Sequence, residues 1–148
     1  MNKIRVGVVG LGRLGFTHAE NITSTKNASL IAVCSHSEEE LKKAKEKLGV
    51  TNCFTDIKKM VETIDLDAVI LVSPSNFHAE QSIYCLKKGL HVFCEKPPAR
   101  TLSELNDVRS IADQYPELKL MYGFNHRHHG SIKNMKATII IVVRPGKF

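Results

Sequence analysis

Three glycines near the start of the chain constrain its fold more than any other sequence feature. Gly10, Gly12 and Gly15 follow the apolar segment Ile4–Val9, which is typical of a β-strand, and lead into an amphipathic stretch over Leu14–Ile22. A GxGxxG pattern alone is a weak signal, but directly after a strand and at the start of a helix it has the context that a dinucleotide-binding βαβ unit requires. The alternative is a glycine turn that only joins a strand to a helix.

Each glycine has its own role in the dinucleotide interpretation. Gly10 permits the tight turn, Gly12 lets the main chain approach a pyrophosphate, and Gly15 lets the helix pack closely on the strand. Main-chain amides at the N-terminus of the helix, those of Arg13 and Leu14, are expected to face the phosphate charge. The sequence thus predicts a cofactor-binding loop made of Gly10, Leu11, Gly12, Arg13, Leu14 and Gly15.

The rest of the chain alternates short apolar strands with amphipathic helices. Strands are predicted at Ser29–Cys34, near Cys53 and Phe54, and at Ala68–Val72, His91–Cys94 and Lys119–Tyr122. Helices are predicted at Glu38–Leu48, after Asp56, from about Phe77 to Lys88, and after Thr101. Ser37 with Glu40, and Thr101 with Glu104, have the spacing of capping boxes. This alternation predicts an α/β fold: a doubly wound, mostly parallel sheet of the Rossmann type.

Length and composition limit this architecture to one domain. The chain has 148 residues, of which 43% are hydrophobic, and this suffices for a single core. We expect residues 1–123 to form an NAD(P)-binding domain and residues 124–148 to form a connecting segment and a tail. The apolar runs are shorter than the roughly 20 residues of a membrane span. Because the first residues also do not resemble a signal peptide, we expect a soluble, cytoplasmic protein.

The charge distribution argues against a nucleic-acid-binding protein, and the cysteine spacing argues against a disulfide framework. Lys and Arg number 21 against 15 Asp and Glu, but the basic residues are scattered and not interleaved with aromatic ones, so nucleic-acid binding is not expected. The four cysteines form no CxxC pair, and two of them lie in apolar strand-like runs. We therefore expect buried, reduced thiols.

The end of the second predicted strand bears on cofactor choice. The fingerprint calls for an Asp or Glu about 20 residues after the glycines, where it bonds the ribose 2′-hydroxyl of NAD. Ser35 and His36 occupy this place. The acidic residues Glu38–Glu40 follow, but the helix dipole and the capping box explain them. A hydroxyl beside a cationisable imidazole favours the 2′-phosphate of NADP; the alternative is a loop with neither preference.

Polar residues also follow two later strands. Ser73-Pro74-Ser75-Asn76-Phe77-His78 comes after the fourth strand, and Glu95-Lys96-Pro97-Pro98 after the fifth. Both segments are expected at the carboxyl ends of strands, where open α/β sheets bind their ligands. Lys96 in such a place could polarise a substrate hydroxyl or carbonyl. Equally, it could be a solvated charge beside a proline turn.

Together these segments resemble the Gfo/Idh/MocA oxidoreductases, the family of glucose–fructose oxidoreductase and inositol dehydrogenase. The resemblance runs from about Lys3 to about Lys136, and Glu95-Lys96-Pro97 after an apolar strand is its most specific part. It implies hydride transfer between a nicotinamide cofactor and a sugar, cyclitol or related hydroxyl carbon, with Lys96 as the catalytic residue beside the nicotinamide and the substrate. It further implies that the cofactor site is lined by Ser73, Pro74, Asn76, His78, Glu95 and Lys96, with Arg127 nearby.

The C-terminal region departs from that family. Family members continue into a second α/β domain that supplies most substrate contacts and a catalytic histidine, whereas this sequence continues into the β-branched run Thr138–Val143. We interpret this run as a truncated or altered tail whose unpaired strand edge drives homo-oligomer formation. The second hypothesis for the function is therefore a stand-alone dinucleotide-binding module without turnover.

A cluster of histidines precedes that run. His126, His128 and His129 are imidazoles of the kind that bind zinc, copper or nickel. No cysteine or carboxylate stands at a matching spacing, so we expect a loop without a bound metal.

Overall fold

The computed structural model describes residues 3–125 and Gly130. Within them lie six strands: β1 (Ile4–Val9), β2 (Ala28–Cys34), β3 (Asn52–Phe54), β4 (Ala68–Leu71), β5 (His91–Cys94) and β6 (Leu120–Tyr122). The same residues form five α-helices: α1 (Arg13–Thr23), α2 (Glu38–Leu48), α3 (Ile57–Thr63), α4 (His78–Lys87) and α5 (Leu102–Ala112). A 3₁₀ turn over Ser75–Phe77 directly precedes α4. The strands and helices predicted up to Tyr122 are thus present, within a few residues at their ends.

The strands form one parallel sheet in the order β3-β2-β1-β4-β5-β6. The chain runs outward from β1 to β3, returns to β4 on the other side of β1, and runs outward again to β6. This is the strand order of a doubly wound dinucleotide-binding fold, and the reversal between β1 and β4 opens a crevice at the carboxyl ends of the strands. The predicted fold class is therefore confirmed.

Apolar side chains on both faces of the sheet bury it between two layers of helices. On one face Val6 and Val8 pack with buried residues of α1 and α2, such as Phe16 and Leu41. On the other face Val9 lies in a cluster with Met60 of α3 and with residues of α4 and β5, including Cys85 and Cys94. Because successive strand residues point to opposite faces, β1 contributes to both halves of the core.

The four cysteines are free thiols, and Cys34, Cys85 and Cys94 are buried. Burial raises the pKa of Cys34 and of Cys85 to about 12 and that of Cys94 to about 11. These thiols therefore stay protonated and unreactive near neutral pH, as expected for core cysteines.

At both predicted capping boxes, the hydroxyl of the N-cap residue accepts the main-chain hydrogen bond that the motif calls for. Ser37 Oγ accepts a hydrogen bond from the Glu40 amide at 3.3 Å, and Thr101 Oγ1 accepts one from the Glu104 amide at 3.1 Å. A capping box also predicts that the Ser37 amide donates to the Glu40 carboxylate. This prediction is wrong, because the Ser37 amide donates to Ser35 Oγ instead. The Glu40 carboxylate instead reaches the end of β2, so the capping box does not account for it.

Several expectations concern parts of the chain outside the described residues. These are the strand Thr138–Val143 and the histidine cluster. The division at residue 123 stays a prediction. Among the described residues, no helix is both long and apolar enough to cross a membrane.

Candidate dinucleotide-binding site

The glycine loop presses the start of α1 against the carboxyl ends of β1 and β4. Gly10 has a φ of +86° and donates its amide to Cys34 O at 2.8 Å. A Cβ on Gly10 would come within 2.6 Å of Val72 O, and a Cβ on Gly15 would come within 1.8 Å of Gly10 O. Both positions therefore require glycine for steric reasons, as the sequence predicts.

Gly12 differs from Gly10 and Gly15 because the space in front of it is open. It caps α1 without any side-chain hydrogen bond, and a Cβ at this position would meet no atom within 4 Å. The first amides of a helix have no partner inside the helix, and the helix dipole favours negative charge there. An anion can thus approach the amides of the first turn, which begins at Arg13, without a side chain in the way.

A first cleft, with a volume of about 670 Å³, extends from the glycine loop across the ends of β2 and β3. Its walls include Gly10, Leu11 and Gly12 from the loop, Ser35 and His36 after β2, and Asp56 before α3. Ser73, Pro74 and Phe77 close it on the side of β4 and α4. Predicted cofactor residues from after β1, β2 and β4 thus line one cavity.

A bonded pair of residues, Ser35 and Glu40, stands in the wall of the first cleft. Ser35 is 8% exposed; its hydroxyl donates to Glu40 Oε2 at 2.5 Å and accepts from the Ser37 amide at 3.1 Å. Glu40 lies in the first turn of α2 yet lines the cleft. The sequence interpretation missed this carboxylate because it assigned the acidic run to helix capping and the dipole.

A second cleft of about 360 Å³ lies on the other side of the N-terminus of α1. It brings together residues from three predicted segments, namely Gly12, Arg13, Leu14, Gly15, Ser73, His78, Glu95 and Lys96. The Lys96 side chain is exposed at its edge, and no described residue forms a salt bridge with its ammonium. The Lys96–Pro97 peptide bond is cis. The cleft therefore offers two cations beside the glycine loop, Lys96 and Arg13, for which the described residues form no salt bridge.

Protein partners fix the carboxylate of Glu95. Glu95 is 9% exposed; its Oε1 lies 3.0 Å from His18 Nε2, and its Oε2 accepts the Lys96 amide at 3.2 Å. A Cβ on Gly123 would come within 2.8 Å of this carboxyl group, so the absence of a side chain there makes room for it. Glu95 thereby positions the main chain of Lys96. His18 is a site residue that sequence reasoning missed; its place on α1, three residues after Gly15, is the only signal for it.

His78 joins the ends of β4 and β5. It is 2% exposed, and its Nδ1 lies 2.7 Å from Pro97 O while its Nε2 lies 2.8 Å from Ser73 O. The imidazole lines the second cleft, but both of its nitrogens face main-chain carbonyls. Its contribution is to hold the segment that carries Lys96.

Among the described residues, one predicted site residue is not brought together with the others. Asn76 is exposed in the 3₁₀ turn and lines neither cleft. Arg127 lies outside the described residues, as do His126, His128 and His129. Among residues 3–125, no three His, Cys, Asp or Glu side chains form a group that could hold a metal ion.

Comparison with known proteins supports the interpretation of this site. The model of the Gfo/Idh/MocA family, described as an oxidoreductase family with an NAD-binding Rossmann fold, matches residues 4–124. Myo-inositol 2-dehydrogenase of Thermotoga maritima is 38% identical over 92% of this chain and 40% of its own length. D-glucoside 3-dehydrogenase of Escherichia coli is 31% identical over 84% of this chain and 35% of its own length.

A solved structure extends the similarity to three dimensions. The scyllo-inositol dehydrogenase of Lactobacillus casei, crystallised with NAD(H) and scyllo-inositol, has a TM-score of 0.89 and 40% identity, covering 93% of this chain and 41% of its own. The chain thus spans between 35% and 41% of the length of these three relatives.

Proposed function

The chain belongs to the Gfo/Idh/MocA oxidoreductase family, and from that premise we propose that it is the nucleotide-binding part of a sugar or cyclitol dehydrogenase. In this proposal a nicotinamide dinucleotide lies along the carboxyl edge of the sheet. The observation that carries it is the open N-terminus of α1, framed by two glycines that admit no side chain and one that faces empty space. The similarity to inositol and glucoside dehydrogenases supports the substrate class.

The two clefts suggest how the dinucleotide is oriented. The first cleft, of about 670 Å³, suits the adenosine half, because open α/β sheets bind this half beyond β1 and β2. The pyrophosphate crosses Gly12 and meets the amides of Arg13 and Leu14. The nicotinamide then occupies the second cleft, beside Glu95 and Lys96.

Lys96 is the residue that we assign to the chemistry. When bound, the nicotinamide ring supplies the hydride acceptor or donor. The Lys96 ammonium donates a hydrogen bond to the substrate oxygen and stabilises negative charge that develops there. Its main-chain amide is held by the Glu95 carboxylate, and the neighbouring Pro97 carbonyl by His78, so the lysine extends from a fixed main chain.

Dinucleotide binding without turnover is the second candidate function. The observation that favours it is the state of the acid–base groups around the second cleft. Glu95 and His78 are already bonded to protein partners, which leaves Lys96 as the one available group of the three. Hydride transfer also requires the substrate carbon to be positioned against the nicotinamide, which can contribute roughly 7–11 kcal/mol.

Three finer expectations remain predictions. Selectivity for NADP rests on Ser35 and His36, and the Ser35 hydroxyl already donates to Glu40, which leaves His36 as the candidate for a 2′-phosphate. Homo-oligomer formation rests on Thr138–Val143, outside the described residues. The cytoplasmic location rests on the sequence arguments alone.

The proposal is tested by replacing Gly12. A valine at this position meets no protein atom within 4 Å at its Cβ but obstructs the approach of a pyrophosphate. Calorimetric titration with NADH and NADPH should show at least about tenfold weaker binding by Gly12→Val, with the melting temperature unchanged within a few degrees. The matched control is Asn21→Val, which places the same side chain on the exposed far end of α1. Equal binding by both variants would refute the assignment.

Turnover separates the two candidate functions. NAD(P)H production over a panel of inositols and sugars, measured on the wild type and on Lys96→Met, should show activity that depends on Lys96 if the chain is catalytic. Tight cofactor binding with no product from any substrate supports the binding module.

A further inference from the structure

We propose that Glu40 is the residue that binds the adenosine ribose and selects NAD over NADP, in place of the acidic residue missing at the end of β2. This inference rests on the proposed dinucleotide function and adds its specificity. It opposes the preference for NADP predicted from Ser35 and His36.

The position of the Glu40 carboxylate is the first argument. Ser35 follows β2, where the dinucleotide fingerprint calls for an acid, and its hydroxyl donates to Glu40 Oε2 at 2.5 Å. The Ser37 amide fixes Ser35 Oγ from the other side at 3.1 Å. Glu40 thus brings a carboxylate from the first turn of α2 to within one hydrogen bond of the usual place of the acid.

The Glu40 carboxylate also retains the capacity to accept further hydrogen bonds. Its only hydrogen-bond donor among the described residues is the Ser35 hydroxyl, and a carboxylate has about four acceptor sites. Glu40 lines the first cleft, and no hydrogen bond from a described residue reaches its Oε1, so this oxygen has capacity to accept from a ligand. The hydroxyls of an unphosphorylated ribose are donors that match it.

The charge of the first cleft also favours a ribose. The acidic residues and histidine that line it are His36, Glu40, Asp56 and Glu80, and neither lysine nor arginine lines it. Asp56 Oδ1 accepts the amides of Lys58 and Lys59 at the start of α3. A 2′-phosphate would bring further negative charge to a wall that already carries carboxylates, with His36 as the one cationisable group.

Basic side chains line a neighbouring cleft, which Glu40 also lines. Arg13, Lys43 and Lys47 line a third cleft of about 610 Å³, between α1 and α2. Lys43 Nζ lies 4.2 Å from the centroid of the Phe16 ring, and this cleft also contains Glu20 and Glu39. This third cleft shares Leu11, Gly12, Ser37 and Glu40 with the first cleft, but its basic residues do not line the first cleft and stand among acids. This arrangement favours a ribose without the phosphate.

The experiment compares NADH and NADPH dissociation constants at one ionic strength for the full chain. The test variant is Glu40→Gln, which keeps the shape and removes the charge. The matched control is Glu38→Gln, which removes the same charge from the same helical turn at an exposed position that lines none of the three clefts. Thermal melts of both variants check that α2 still forms.

The wild type should bind NADH more tightly than NADPH, and Glu40→Gln should lower this preference by about tenfold or more, the worth of one hydrogen bond to a charged acceptor. Glu38→Gln should leave it within about twofold. A wild type that prefers NADPH, or equal preferences in both variants, would overturn the role of Glu40 while leaving dinucleotide binding intact. If neither dinucleotide binds the wild type, the proposed function falls together with this inference.

Discussion

Charged residues at the amino ends of the strands differ in their partners from those at the carboxyl ends. At the amino ends, the Arg5 guanidinium on β1 donates to Asp67 Oδ1 at 2.7 Å and to Oδ2 at 3.1 Å, and the Arg5 amide also donates to Oδ2, at 2.7 Å. Arg5 forms a second ion pair with Asp65. At the carboxyl ends, Glu40 and Lys96 are directed toward clefts. One edge of the sheet thus carries charges that pair with each other, and the opposite edge has two charged residues that line clefts.

This difference separates stability from ligand binding along one sheet. Hydrogen bonds from the Arg5 side chain and amide lower the pKa of Asp67 to about 2, and the two aspartates raise the pKa of Arg5 above its ordinary value. Because Arg5 and Asp67 bond to each other, their charges stabilise the fold and are not available to a ligand. The Glu40 carboxylate accepts only a neutral hydroxyl, that of Ser35, so its charge is not neutralised and it can still bind a ligand.

The largest expected effect comes from Gly15→Ala at the carboxyl end. The added Cβ would come within 1.8 Å of Gly10 O, so α1 must move away from β1, at a cost of about 3 kcal/mol or more. Urea unfolding measures this loss, and NADH binding should fall with it. Gly12→Ala is the steric control, because its Cβ meets no atom within 4 Å; since alanine is a poorer N-cap than glycine, it should cost about 1 kcal/mol or less. Equal stabilities would contradict the close packing of helix and strand.

A second comparison uses one histidine from each end of the sheet. His78→Ala leaves two carbonyls without their ring partner in a buried place, and we expect a loss of about 3 kcal/mol. NADH binding should also weaken, because the segment of Lys96 loses a support. His91→Ala at the amino end removes one half-buried ring, which accepts the Lys119 amide at 3.0 Å, and should cost about 1 kcal/mol. Similar losses for both histidines would show that His78 is not a special support.

Local sequence signals were sufficient for the fold and for the glycine loop. The apolar run at β1 and the three glycines act within a few neighbouring residues, so their structure follows from local sterics and hydrophobic burial. Contacts between distant segments were not predictable in this way. His18 and Glu95 meet across 77 positions, and no local pattern indicates their contact.

Two residues show where prediction from the sequence fails: Glu40 lines a cleft but was not predicted to, and Asn76 was predicted to line the site but does not. The Glu40 carboxylate belongs to a helical turn by sequence, and only the packing of α2 against the end of β2 turns it toward Ser35. Asn76 belongs to a predicted site segment, but the 3₁₀ turn leaves it exposed and outside both clefts. In each case the direction of a side chain depends on how a short helical segment is oriented, which the residue order alone does not specify.

A smaller effect is expected from Asp67→Asn at the amino end. The substitution removes the charge that faces Arg5 across a partly exposed contact, with 38% of the Asp67 side chain accessible, so solvent limits the loss to about 1 kcal/mol. NADH affinity should not change, since the site lies at the opposite end of the strands. The control is Asp113→Asn, whose ion pair with Arg109 spans 4.0 Å and is mostly exposed; it should leave stability unaltered. A change in NADH affinity in Asp67→Asn would break the separation between the two ends.

The pH dependence of that effect gives the smallest signal. The pKa of Asp67 falls from 3.8 to about 2 in the folded protein, so the folded state favours the charged form and the contribution to stability is fully present above about pH 4. As the pH falls toward 2, the unfolded chain takes up the proton first, and the contribution is lost. The stability difference between wild type and Asp67→Asn, measured by urea unfolding, should therefore be constant from pH 7 to about pH 5 and shrink below pH 4. A difference that grew on acidification would show that Arg5 does not stabilise the charged Asp67.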